Sequence, residues 1–261
     1  MNDTPPAKKS LGQHWLRDTA SLEAICDAAD VQADDCVLEI GPGLGTLTEV
    51  LVRRAGQVIA VEFDEKLARQ LPERVTADNL EVVRQDILGF DLTSLPPDYK
   101  LVANIPYYLT SNLIRVISET PNRPVSAAIL VQKEVAERVA ARPGGMSLLS
   151  VTAQFYWEVS LGREVPAELF EPPPKVDSRV LILQRRDGPL YPGVDPKQFF
   201  RLAKAGFGQR RKTLLNSLGG GLHLSRQETE KLLQTANIAP NRRAQTLSLD
   251  EWHALYRAAH T

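Results

Sequence analysis

The 261-residue chain is sparing with the residues that mark several common kinds of chemistry. It has two cysteines, Cys26 and Cys36, with no metal-type spacing. Neither a disulfide framework nor a cysteine metal site is expected, and both read as reduced core thiols in a cytoplasmic protein. Its four histidines are scattered at 14, 223, 253 and 260, which provides no metal constellation and no histidine–aspartate pair for base catalysis. No apolar run is long enough to span a bilayer. The polar, proline-bearing residues 1–9 have no apolar core of the kind a secretory signal needs, and read as a flexible tail. Net charge is only −1, but it is unevenly placed. Residues 188–261 hold 11 Lys and Arg against 5 Asp and Glu, a balance of +6, whereas residues 1–187 balance at −7. A basic tail on an acidic body suits an anionic macromolecular partner; a solvated helical face is the competing reading.

Hydrophobic residues at 43% and charged residues at 24% are ordinary globular values, and the length suits one sizeable core with a small appendage. Short apolar runs predict strands at 36–40, 57–61, 80–84, 99–103 and 125–131. Helical spacing predicts helices over 18–29, from 46, and over 65–74, 111–118, 132–140 and 147–155. Alternation of this kind builds a parallel sheet covered by helices. Residues 157–165 and 178–184 read as a final antiparallel pair. From Pro196 the pattern is all helical, with helices over 198–206, 225–234 and from a Ser248 cap to about 259. Gly219-Gly220-Gly221 reads as a linker, and Arg142 to Gly145 as a flexible loop beside the active face. The expectation is an α/β domain over 1–187 and a small helical domain over 188–261.

Four stretches carry chemistry. Strand 36–40 runs into Gly41-Pro42-Gly43-Leu44-Gly45 and then a helix, the context a nucleotide-binding turn requires. Glu62 ends the second strand, 21 residues after Gly41, where an acid takes ribose hydroxyls. The glycines are spaced two and two, and the proline removes a turn N–H. That favours a nucleoside without phosphates, such as S-adenosylmethionine, over NAD; a tight turn with a solvated glutamate is the alternative. Asp86, after the third strand, suits an adenine amino group or an Asx turn. Asn104-Ile105-Pro106-Tyr107, with Tyr108 behind it, follows the fourth strand. The Asn104 oxygen and the Ile105 carbonyl suit the two N–H groups of an exocyclic amine, with Tyr107 stacking on the ring; a plain strand-to-helix turn competes. Phe170, ahead of Pro172-Pro173-Pro174-Lys175, is either a second stacking face or a core plug. Arg210-Arg211-Lys212 beside Phe207 suits a phosphate backbone.

Taken in order, Leu11 to Leu16, Glu39 to Gly45, Val61-Glu62, Asp86, Asn104 to Tyr107, Phe170 to Ser178 and Phe207 to Leu214 resemble the ribosomal RNA adenine N6,N6-dimethyltransferase family, and within it the bacterial small-subunit (16S) branch. The resemblance covers nearly all of residues 8–258. It implies a Rossmann-like seven-stranded S-adenosylmethionine-dependent methyltransferase domain, with the last strand antiparallel, and a helical RNA-binding domain at the C-terminus. It places Gln13, His14 and Leu16 at the cofactor pocket, Gly41, Gly43 and Gly45 at the methionine part, Glu62 at the ribose, Asp86 and Ile87 at the adenine, and Asn104 between cofactor and target base. Lys175 joins Arg210, Arg211 and Lys212 as an expected RNA contact. His14 stands where the family usually has Asn, and Gln85 where Gly is common. The implied partner is 16S rRNA in the 30S subunit, met by a monomer without metal or membrane. The competing assignments are a 23S rRNA adenine methyltransferase of the macrolide-resistance type, a non-catalytic assembly or RNA-binding factor, and a DNA N6-adenine methyltransferase.

Overall fold

The computed structural model describes residues 13–260. The tail at 1–9 and the first part of the segment leading to Leu16 lie outside the described residues. The chain divides into two compact units. One comprises the residues up to Ala136 together with Glu158–Arg185; the other comprises Glu137–Trp157 together with the residues from Arg186 onward.

The first unit opens with β1 (Trp15–Leu16), α1 (Thr19–Ala28), β2 (Cys36–Ile40), α2 (Thr46–Arg54), β3 (Gln57–Glu62), α3 (Glu65–Arg74) and β4 (Leu80–Arg84). It continues through β5 (Lys100–Asn104), α4 (Thr110–Glu119) and β6 (Ser126–Gln132), with α5 (Lys133–Val139) at its edge. After α6 (Leu148–Tyr156) come β7 (Trp157–Val165), β8 (Phe170–Glu171) and β9 (Ser178–Arg185). Seven of the strands form one sheet in the order β4-β3-β2-β5-β6-β9-β7. β4, β3, β2, β5 and β6 are mutually parallel, and β9 runs antiparallel to β6, pairing Ser126 with Gln184. The parallel strands read as unbroken apolar runs because both their faces are covered. Leu38, Val58, Leu101, Val102 and Ala128 are buried completely. The chain leaves β2 first for β3 on one side and later for β5 on the other. Such a reversal opens a crevice beyond the carboxyl ends of the two central strands, here at Gly41 and Asn104.

In the second unit α6 is joined by α7 (Pro196–Phe207), α8 (Leu214–Leu222), α9 (Arg226–Thr235) and α10 (Leu249–Ala258). Ser147, Ser225 and Ser248 each accept from the third helical N–H and form capping boxes, which mark these starts in the sequence. Phe155, Phe199, Leu218, Leu233 and Trp252 form the core, with the Phe155 and Phe199 rings 4.7 Å apart.

Three expectations change here. The boundary falls at Arg185–Arg186, and residues 137–157 group with the helical unit. Phe155 ties them there, its ring 4.7 Å from Phe199 of α7, while Gln154 holds the segment to itself through the Val139 and Ala141 carbonyls at 2.8 and 2.9 Å. The 142–145 segment is anchored, since Gly144 and Met146 both donate to the Gln245 carbonyl, at 2.8 and 3.2 Å. Gly219-Gly220-Gly221 is no linker but the last turn of α8. Tertiary packing outweighs the poor helix propensity of glycine. A Cβ on Gly221 would stand 2.7 Å from the Ala205 Cβ and 2.8 Å from its Cα, so the glycine lets α8 close on α7. Gly221→Ala is expected to lower the stability of the helical unit by about 1–3 kcal/mol, because backbone must yield. Urea unfolding followed by tryptophan fluorescence, with Trp15 and Trp157 replaced by Phe in both proteins so that Trp252 alone reports, measures this.

Candidate active site

A cavity lies at the carboxyl ends of β2, β3 and β5, with Gln85 to Leu88 beyond β4 on one side and residues 13–16 across it. Its empty space, mouth included, is about 1200 Å³.

The glycine turn adopts left-handed backbone at all three of its glycines, with φ of 66°, 59° and 88° at Gly41, Gly43 and Gly45. The three have different physical reasons. A Cβ on Gly41 would meet nothing within 4 Å, so this backbone faces open cavity and leaves a cradle for a ligand. A Cβ on Gly43 would strike the Trp15 ring at 2.6 Å. Gly45 is not among the lining residues; its Cβ would hit Val75 and Leu71 at 2.8 and 2.9 Å, so it serves packing against α3.

Glu62 is 6% exposed. Its Oε2 accepts from the Gly43 N–H at 3.1 Å and its Oε1 from the Asp64 N–H at 2.8 Å. Burial nevertheless holds its carboxyl above the usual carboxylate range. Glu39, on β2, is buried deeper and lines the same cavity. Neither of its oxygens makes a well-formed hydrogen bond among the described residues, and only the Thr48 hydroxyl acts on it in favour of the charged form. Burial, with the Glu62 charge acting the same way, pushes its carboxyl up to about 8. Asp86 Oδ1 accepts from the Leu88 N–H at 3.0 Å, which is the Asx turn, and the residue also lines the cavity beside Ile87.

Asn104 ends β5 half-buried, and its side-chain amide has no hydrogen bond among the described residues. Ile105 is buried, and Pro106 precedes a short turn of helix at Tyr107. The Tyr107 hydroxyl lies 2.7 Å from Ser178 Oγ, which fixes the ring. The ring stacked on it is His14, with centroids 6.1 Å apart and planes 20° apart. Phe170 touches the cavity but is 4% exposed and packs in the core with Leu16 and Val165. Its packing is that of the core-plug alternative, and its place in the cavity wall keeps it beside the space a base would enter.

The segment across the cavity is held at several points. Trp15 and Leu16 pair with Glu171 and Phe170, an arrangement the sequence did not signal. Thr46 Oγ1 donates to the Leu16 carbonyl at 2.9 Å, and Arg17 pairs with Glu171 at 3.2 Å. His14 Nδ1 lies 2.7 Å from the Pro172 carbonyl, which can only accept, so that nitrogen carries the proton. Gln13 lines the cavity as well. Trp15, Glu39, Phe63, Leu88 and Tyr108 also line it and were not among the expected site residues. Phe63 and Tyr108 are 62% and 66% exposed at its mouth. Their signal was available, as each adjoins an expected site residue.

The expected RNA contacts lie elsewhere. Arg210, Arg211 and Lys212 are exposed in the turn between α7 and α8, and Lys175 is exposed in the proline segment. Among the described residues no three His, Cys, Asp or Glu side chains are grouped to hold a metal, and no helix is long and apolar enough to cross a membrane.

The family profile described as ribosomal RNA adenine dimethylase matches residues 5–260. The chain belongs to this family. It is 46% identical over 253 residues to the ribosomal RNA small subunit methyltransferase A of Dehalococcoides mccartyi, covering 95% of this chain and 87% of that protein. It is 40% identical over 262 residues to the protein of the same description in Clostridioides difficile, covering 97% and 91%. A dimethyladenosine transferase from Plasmodium falciparum has the same fold, with a TM-score of 0.78 at 25% identity over 92% of this chain and 95% of that one. The 23S rRNA methyltransferase ErmE matches with a TM-score of 0.74 at 30% identity, covering 95% and 100%. Members of the family are enzymes that use S-adenosylmethionine. The residues here fit that cofactor: an open glycine backbone at Gly41, a carboxyl already oriented at Glu62, and a deeply buried carboxyl at Glu39 in the same cavity wall.

The raised Glu39 value has a consequence for stability. The unfolded chain loses this proton near 4.5 and the folded chain near 8. The stabilisation is present below the lower value and is lost as pH rises through the upper one. Glu39→Gln is expected to be more stable than the parent at pH 8, by about 3–5 kcal/mol, and equal to it at pH 4. Urea unfolding of both proteins across pH 4–9 measures the difference.

Proposed function

We propose that the protein dimethylates N6 of two adjacent adenosines in the loop of the 3′-terminal hairpin of 16S rRNA, acting as a monomer on the small ribosomal subunit late in its assembly in the cytoplasm. One observation carries this reading. Asn104, Ile105 and Tyr107 line the same cavity as Gly41, Glu62 and Asp86, so an amine-gripping set and a nucleoside cradle share one space. The names of the sequence relatives favour the small subunit. The fold does not discriminate, since the dimethyladenosine transferase and ErmE match it almost equally.

S-adenosylmethionine, when bound, supplies an electrophilic methyl group. The chain's own residues do the rest. Gly41 leaves backbone open to the methionine part, Glu62 accepts from the ribose hydroxyls, and Asp86 accepts from the adenine amine. Gly43 and Asp64 hold the Glu62 carboxylate in place before any ligand arrives. On the target base, the N6 lone pair is delocalised into the ring and is a poor nucleophile. The Asn104 oxygen and the Ile105 carbonyl accept its two N–H bonds and draw it towards tetrahedral geometry, which localises the pair. Tyr107, its hydroxyl anchored on Ser178, presents a fixed face to the ring. The methylated amine is cationic and sheds its proton readily, so the site needs no strong base. Arg210, Arg211, Lys212 and Lys175 meet the phosphate backbone.

Undermethylated small subunits and separate large subunits, incubated with tritiated S-adenosylmethionine, test the assignment. Dimethyladenosine approaching about four methyl groups per small subunit, with no label on the large one, is expected. Label on the large subunit would transfer the protein to the 23S class, and no label on either would leave a binding factor. Asn104→Ala is expected to lose about 100-fold or more in methyl transfer while its cofactor Kd changes less than about fivefold. Single-turnover transfer and calorimetric titration read the two quantities separately.

A further inference from the structure

The helical unit carries a second recess, remote in sequence from the residues of the cavity. Lys197, Arg201 and Lys204 of α7 form one wall, and Ser217, Gly220 and Gly221 of α8 form the floor. Spacings of four and three residues put the three cations on one helix face. All three are exposed, and none forms an ion pair among the described residues. Residues 196–227 contain seven Lys and Arg and no Asp or Glu. The nearest acid before them, Asp195, caps α7 by accepting from the Lys197 N–H at 2.8 Å. The cations therefore wall the recess without local neutralisation.

The floor is also unusual. Gly221 is explained by its contact with Ala205, but Gly220 is not. A Cβ there would meet only the Gln209 Nε2 at 3.8 Å. An exposed glycine inside a helix lowers helix stability, and packing does not require this one. What it does provide is bare backbone beside the cations. Ser217 lines the same recess, is 2% exposed, and its hydroxyl has no hydrogen-bond partner among the described residues. No aromatic ring and no carboxylate lines the recess, and its sole apolar side chain is that of Ala205. Such a lining suits phosphates and sugars and offers nothing on which a base could stack.

The geometry points to a phosphodiester groove: a stretch of ribosomal RNA backbone lies along α7 and α8, with its phosphates against Lys197, Arg201 and Lys204 and its sugar edge over Gly220. The groove rests on the reading of the protein as an rRNA enzyme. It adds to the Arg210–Lys212 turn a second contact surface, one that reads backbone and carries no sequence preference.

The test measures binding of the full-length protein to undermethylated small subunits between 50 and 200 mM salt, with S-adenosylmethionine titrated in parallel as a check on folding. In Lys197→Gln/Arg201→Gln/Lys204→Gln, the slope of log affinity against log salt is expected to fall by about 2–3, and low-salt affinity by about tenfold or more, with cofactor affinity unchanged. Gly220→Ala is expected to raise the melting temperature while weakening subunit binding, and Gly220→Glu to weaken it further. A slope in the triple variant equal to that of the parent would overturn the groove while leaving the rRNA reading intact. So would undiminished binding by Gly220→Glu. A parent protein that fails to bind small subunits at all would overturn the rRNA reading itself, and the groove with it. Loss of binding to anionic lipid vesicles, with subunit binding retained, would reassign the recess to a membrane surface.

Discussion

The carboxylate of Glu62 ties together the two turns that shape the cavity. One oxygen holds the Gly43 N–H in the glycine turn, and the other holds the Asp64 N–H at the start of α3. Both bonds lie where water is excluded, so each is worth more than its surface equivalent and each would be costly to leave unmade. The turn so held is the one with left-handed backbone at Gly41 and Gly43, and the Trp15 ring lies against it at Gly43. The site is thus organised in advance of its ligands, and ligand binding need not supply the ordering.

Two buried carboxyls stand side by side at the ends of β2 and β3, and their surroundings separate them. Glu62 is satisfied by backbone N–H groups; Glu39 has only the Thr48 hydroxyl acting in favour of its charge, and burial pushes it up to about 8. An uncompensated charge at Glu39 would be expensive in so dry a place, and holding the proton is the cheaper state. The cavity therefore holds, around neutral pH, a neutral carboxyl at Glu39 beside a Glu62 carboxyl that two backbone N–H groups support. That is an asymmetry a cationic ligand with separate polar ends can use.

The helical unit solves a different problem. Its core is aromatic, built from Phe155, Phe199, Tyr191 and Trp252, and its helix starts are marked by capping serines. With the core satisfied on the inside, α7 and α8 are free to carry cations and bare glycine backbone outside. Arg242 shows that basic residues here are not all equivalent: it is bound to Glu251, at 3.0 Å through one nitrogen, and to the Thr246 carbonyl, so it serves structure. Arg210, Arg211 and Lys212 have no such ties among the described residues.

Much of the protein was legible in the chain. The apolar runs of the parallel strands, the caps at Asp18, Ser147, Ser225 and Ser248, and the spacing from Gly41 to Glu62 all express local rules that act over a few residues. They place the glycine turn and Asn104 at strand ends without reference to anything distant. What stayed hidden were the features made by residues far apart: the pairing of Trp15-Leu16 with Phe170-Glu171, the stacking of His14 on Tyr107, the deep burial of the Glu39 carboxyl, and the grouping of 137–157 with the helices. Gly219-Gly220-Gly221 is the clearest case, because its local preference is for a flexible link and it is nonetheless helical. Local propensity spans about 1 kcal/mol per residue, and burying one face of α8 against α7 outweighs it. The cause is that a turn or a strand is decided by its own few residues, whereas burial and partnership are decided by whichever distant segment the fold brings alongside.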